Sequence, residues 1–298
     1  MSKFFKILLI IFSRVFVLFL LLAIGAGVFI HMNMERELNQ ELPFFHSIKM
    51  ALTLNYDSEE EMKFKEERTR EKHHHISIYY PDDFKELIPI TKETLDWAMK
   101  KNKELFGTVK EDPVDLIIVQ NEEELAELSE LEELSGYYSD FEKVFAVPYV
   151  NKESILERME GSLYFFQKPI LHEYTHYIFA RLADDVSPYP AWFQEGISEY
   201  VGEDQTSVEY SGFNLVPFVE LDTPEQWSDV RLQDNTDVYA QSYFAIKYLI
   251  DEQGTGILKE IIDETNSSGD FEQGFMKATN MTVGDFDNNF SDAIEKLR

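Results

Sequence analysis

The chain has 298 residues, no cysteine and a formal net charge of −29. Without thiols it has no disulfides, no thiol catalysis and no residue to carry an N-terminal lipid. Residues 1–34 hold three cations and no acid, so the remainder carries −32, a charge that nucleic acid and anionic headgroups repel; nucleic acid is therefore not an expected partner.

Ile7–Ile30 is apolar apart from Ser13 and Arg14. As a helix it spans roughly 36 Å, enough to cross a hydrocarbon core and attach the protein to a membrane. Lys3, Lys6 and Arg14 sit at its N-terminal end. The positive-inside rule then puts the N-terminus in the cytoplasm and the body outside. Arg14 lies where it can snorkel, avoiding the roughly 2.5–3.5 kcal/mol of a mid-bilayer charge. The small residues of Ala23–Gly27 also allow a cleaved signal peptide. The apolar run continues through Val28, Phe29 and Ile30, which favours an uncleaved anchor in the membrane of a bacterial cell. Residues 1–34 are thus a cytoplasmic tip and span. Residues 35–70 are a charged stalk with an amphipathic helix around Phe44–Leu54. Residues 71–298 are the expected catalytic body.

His73, His74 and His75 precede a strand, Ile76–Tyr80. Consecutive strand residues face opposite ways, so three adjacent histidines are not expected all to converge. A helix over Thr91–Phe106 stops at Gly107, and Val114–Val119 is the clearest strand. Asn121 caps a helix running to about Leu134, with Glu124 at the capping-box position. Lys143–Pro148 reads as an edge strand, because Pro148 cannot donate to a ladder on both sides.

His172-Glu173-Tyr174-Thr175-His176 follows, with Pro169 expected in the first turn of its helix. Residues four apart share one helix face, so two imidazoles can address one ion with Glu173 beside them. After eighteen intervening residues comes Glu195, in a second helix from Ala191 to about Val201 with Gly202 as its stop. Two histidines, a third protein ligand and an open position for water are what a catalytic Zn²⁺ requires. His172, His176 and Glu195 are the candidate ligands of one Zn²⁺ per chain. Glu173, beside a ligand but not one itself, can take a proton from an activated water and return it to the leaving amine. Glu199, one turn after Glu195, can accept a hydrogen bond from a ligating ring and fix its tautomer.

H-E-x-x-H, eighteen residues and then Glu within Trp192-Phe193-Gln194-Glu195-Gly196 resembles the gluzincin metallopeptidases, with the spacing of aminopeptidase N-like enzymes. Glu195-Gly196-Ile197-Ser198-Glu199 is similar to the thermolysin-type E-x-x-x-D segment, with Glu199 in place of Asp. Overall size and layout resemble the bacterial peptidase MA-like group of small, often membrane-attached zincins. The strong resemblance covers Pro169–Tyr200, and a weaker one reaches Gly254. By it, Val238–Tyr243 aligns with the segment that holds an oxyanion-stabilising tyrosine, which makes Tyr239 the candidate and Tyr243 the rival. It also implies that the Lys143–Pro148 strand lies beside the cleft and pairs with substrate backbone. No G-x-M-E-N segment, which grips a free amino terminus in the aminopeptidases, stands upstream of His172; that points to an endopeptidase.

Four helices close the chain: Val238–Gln253, Gly256–Thr265, Asp270–Thr279 and Val283–Leu297, the last capped by Thr282. The expected architecture is α+β: a zincin-like domain of small mixed sheet and helical lobe, behind an N-terminal transmembrane helix. The expected activity is zinc-dependent hydrolysis of a peptide or protein substrate. The alternative is a catalytically weak zincin-fold module that binds surfaces, but such a module has no need of Glu173.

Overall fold

In the central strands, successive residues face two separate apolar layers. Leu116 and Ile118 of β3 (Val114–Val119) face the main core, while Ile117 and Val119 face a smaller one. The same alternation in β5 (Val144–Pro148) sends Phe145 and Val147 one way and Val144 and Ala146 the other. A sheet buried on both faces needs helices on both, and it has them.

The computed structural model describes the chain apart from residues 1–2, 39–43, 54–55, 130, 132–133, 205, 207 and 297–298. By its contacts the chain divides into Met1–Met62 and Lys63–Arg298. In the first unit, α1 (Lys3–Leu38) contains a 21-residue stretch, Arg14–Met34, of mean hydropathy 2.6. It is long and apolar enough for a membrane span or a signal sequence. The helix α2 (Phe44–Thr53) packs on α1: Phe44 lies against His31, and His31 Nδ1 is 3.0 Å from Ser47 Oγ. Leu54 of the expected amphipathic segment lies outside the described residues.

The second unit opens with the end of α3 (Glu59–Glu67) and a five-stranded mixed sheet in the order β1-β2-β3-β5-β4. β1 (Thr69–His73) runs antiparallel to β2 (Ile76–Tyr80). β2, β3 and β5 are parallel, and β4 (Tyr137–Ser139) returns antiparallel to β5. Between β2 and β3 runs α4 (Ile88–Phe106), ended by Gly107 at φ 76°. α5 (Glu122–Ser129) covers the smaller core; its Glu124 N–H donates to Asn121 Oδ1 at 2.8 Å, as the capping reading expects. Residues 130, 132 and 133 of that expected helix lie outside the described residues.

Two expectations are corrected. The edge next to β5 is β4, not β5 itself, which pairs on both sides. Pro148 is tolerated because β4 pairs only with Val144–Ala146, so the missing N–H falls beyond the end of β4. Pro169 lies inside a helix, not in its first turn: α7 runs from Glu160 to Leu182, after the short α6 (Lys152–Leu156). The interior proline forfeits one backbone hydrogen bond, a cost of about 3 kcal/mol. Burial of the added turns, Phe166 included, offsets it. As expected, the three adjacent histidines do not all converge; His73 and His74 meet, and His75 does not join them. His73 pairs with Ile76, so His74 and His75 form a two-residue turn, and His74 takes φ 51°.

Packed against the sheet and α4 is α7, buried on nearly every side. The helical layer beyond it comprises α8 (Ala191–Gly202), α9 (Pro224–Arg231), α10 (Val238–Gln253), α11 (Ile257–Ser268), α12 (Phe271–Thr279) and α13 (Val283–Glu295). Trp192, Phe218, Phe275, Phe286 and Phe290 form its aromatic centre. Thr282 and Asp285 form a capping box on α13; Leu297 lies outside the described residues.

Candidate metal centre

The position of α7 follows from its other faces. Tyr174 and Phe145 of β5 meet edge to face at 6.5 Å, and Asn102 of α4 donates to Thr175 Oγ1 at 3.0 Å. With those faces committed to sheet and helix, His172, Glu173 and His176 are left facing a cleft of about 650 Å³. Glu195 and Glu199 of α8 and Tyr239 of α10 line the same cleft.

His172 Nε2 and His176 Nε2 lie 3.0 Å apart. Glu195 Oε2 is 3.3 Å from the first and its Oε1 3.6 Å from the second. Zn–N and Zn–O bonds of roughly 2.0–2.2 Å at tetrahedral angles place ligand atoms about 3.3 Å apart. Two imidazole nitrogens and one carboxylate therefore stand at the separations a single Zn²⁺ needs, and the residues fit the ion. Glu173 also brings a carboxylate oxygen within 4.8 Å of both rings, so proximity alone does not separate ligand from base. Their electrostatics differ. Burial pushes both carboxyls up, but His176 and His172 more than reverse this at Glu195, which stays ionised. At Glu173 burial prevails and its proton affinity rises.

His172 Nδ1 lies 3.0 Å from Glu199 Oε1. With Glu199 ionised, Nδ1 carries the proton and Nε2 is free to ligate. Glu199 is lowered in spite of its burial, chiefly by its hydrogen bond with His172, with Lys168 adding to it. Lys168 Nζ reaches Glu199 Oε2 at 2.9 Å and Glu203 Oε1 at 2.7 Å. Without a cation, burial disfavours charge on His172, but Glu195 and Glu199 outweigh it and push its pKa up to about 10.

Tyr239 packs edge-on against Trp227 at 5.1 Å, with its ring 6.5 Å from that of His172. Burial, reinforced by the negative Glu195, raises its pKa and keeps the hydroxyl protonated. Tyr243 stacks on Tyr200 instead, away from the cleft wall. The structure thus brings six of the seven candidates, all but Tyr243, to one cleft.

Two neighbours escape a reading of the sequence. Lys168 stands one turn before His172, so helical spacing could have found it. Gly136, just before β4, carries no such signal. A Cβ there would overlap the Glu173 carboxylate oxygen and come 2.8 Å from its Cγ, so glycine lets the chain pass this close with Glu173 in place.

Residues 146–293, which include every residue of this centre except Gly136, match the family model of collagenase, peptidase family M9. That family consists of zinc metallopeptidases. A protein of Bacillus subtilis (strain 168) described as "Uncharacterized protein YhcO" is 36% identical over 223 residues, covering 74% of this chain and 69% of that protein. The chain belongs to that protein's family. The collagenase match and the clustered histidines support a zinc metallopeptidase, a hydrolase acting on peptide bonds.

Proposed function

We propose that the protein is a membrane-anchored endopeptidase of the gluzincin, peptidase MA-like kind, with its catalytic body, residues 71–298, outside the cell membrane. The observation that carries this reading is the arrangement of His172 Nε2, His176 Nε2 and Glu195 around one point, at 3.0, 3.3 and 3.6 Å. These three residues would hold one Zn²⁺, and Glu199 would orient His172. When bound, the ion supplies a Lewis acid that acidifies water and polarises a carbonyl.

Glu173, its proton affinity raised by burial, accepts a proton from the attacking water and delivers it to the departing amine nitrogen. Tyr239 donates its hydroxyl hydrogen to the oxygen that gains charge as the carbonyl becomes tetrahedral. β4, last in the strand order among the described residues, brings Tyr137 and Tyr138 to the cleft, where an extended peptide would lie. That role passes to β4 because β5 is already paired on both sides. The segment Arg14–Met34 is the anchor, oriented with Lys3 and Lys6 in the cytoplasm.

The full chain, purified in detergent, should hold about one Zn²⁺ per molecule by elemental analysis and cleave internal bonds of an unbiased peptide library. His176→Ala should lose one equivalent of zinc and the activity together. Zinc undiminished from the parent level in that variant would overturn the ligand set.

A further inference from the structure

Apart from the centre just described, one more cluster among the described residues has metal-ligating geometry, and the proposed peptidase reaction does not use it. His73 Nε2 lies 2.8 Å and His74 Nε2 3.0 Å from the same atom, Asp96 Oδ1. The ligand atoms of all three residues fall within 4.8 Å of one another. This arrangement is built by non-local structure. His73 ends β1, His74 occupies the turn at φ 51°, and Asp96 projects from the middle of α4. A left-handed backbone at a non-glycine residue costs free energy, and here it turns the second imidazole toward the first. The rings meet at 4.3 Å, at an angle of 62°.

A single carboxylate oxygen satisfies two imidazoles only if both donate to it. A divalent cation instead takes both nitrogens and the carboxylate as ligands, and imidazole with carboxylate is a donor set that suits Zn²⁺, Ni²⁺ or Cu²⁺. Outward exposure of His74, 57% for its side chain, leaves the remaining coordination positions to water. We propose that His73, His74 and Asp96 form a second, structural site for a divalent transition metal, which clips the β1–β2 turn to α4.

The clip would act on the elements that hold the catalytic helix. His75, next in the turn, stacks on Tyr177 of α7 at 5.5 Å and lies 3.3 Å from Glu111 through Nδ1. Asp96 shares α4 with Thr94 and Asn102, which hydrogen-bond Gln167 and Thr175 of α7. A metal at the turn therefore braces two of the surfaces on which α7 rests.

The test titrates the full-length protein in detergent with ZnCl₂ after chelation, reading bound metal by equilibrium dialysis and stability by thermal unfolding. The background is His176→Ala, so that metal retained there does not come from an intact catalytic centre; the unmodified protein is titrated in parallel. His74→Asn keeps a residue that accepts the left-handed turn and removes the imidazole, and Asp96→Asn removes the charge. The proposal expects one further equivalent of zinc in both backgrounds, bound at least tenfold more weakly once either substitution is added. It also expects a zinc-dependent rise in melting temperature that the substitutions abolish. Equal zinc affinity with and without His74→Asn and Asp96→Asn, or no further equivalent in the unmodified protein, overturns it. Because both outcomes are read beyond the catalytic equivalent, they stand apart from the fate of the peptidase assignment.

Discussion

Glu173 is buried and Glu195 half-buried, and both face the same two rings, yet their surroundings drive their proton affinities apart, one ionised and one raised. Such a split is how two acids of one type take different tasks at one pH. His172 is the third party. In metal-free protein its pKa is pushed up to about 10 from an ordinary 6.5, so its pairing with Glu195 and Glu199 stabilises the fold. Because the folded value is the higher one, that stabilisation is complete below about 6.5 and is lost as pH rises through about 10. Chelated protein should therefore melt at progressively lower temperature across this interval; a flat or rising melting temperature would contradict the pairing. Tyr239 and Tyr243 were indistinguishable by spacing, since both lie on α10 one turn apart. Only packing separates them, with Trp227 and the cleft on one side and Tyr200 on the other. Under the proposed role, Tyr239→Phe should lower kcat by about 10²–10³-fold with zinc retained. Tyr243→Phe should stay near the parent rate, and the reverse order would move the oxyanion role to Tyr243.

At the scale of elements, strong periodicity was legible and short or polar pieces were not. Val114–Val119, Ile76–Tyr80 and Val238–Gln253 stand where hydrophobic pattern and caps put them. β1 is Thr-Arg-Glu-Lys-His, an edge strand with little buried surface, and nothing in that composition distinguishes it from a stalk. β4 has three residues, too few for alternation to register, so from its proline β5 reads as the edge. The candidate metal ligands were legible because one helix carries two of them four residues apart. The close passage of Gly136 under Glu173 was not, because it depends on how the segment before β4 crosses α7. Gly136→Ala tests that passage. The added Cβ should displace the Glu173 carboxylate and cost on the order of 10²-fold or more in kcat, while zinc content stays at the parent level. Unchanged turnover would show that the base has room to move or another role.

In the whole molecule, an apolar helix begins the chain and a separate unit, Lys63–Arg298, carries the candidate centre. Within that unit the sheet lies on one side of α7 and the helical layer on the other, so candidate ligands 23 residues apart in sequence, His172 and Glu195, meet across two helices. The −29 charge of the chain shapes its surface and excludes partners but does not name a substrate. The central claim, that this centre hydrolyses peptide bonds with Glu173 moving the proton, is tested most directly by Glu173→Gln, assayed on a peptide library alongside elemental analysis. The account predicts about one Zn²⁺ per chain, as in the parent, with cleavage abolished. Undiminished cleavage by the zinc-loaded variant would contradict it.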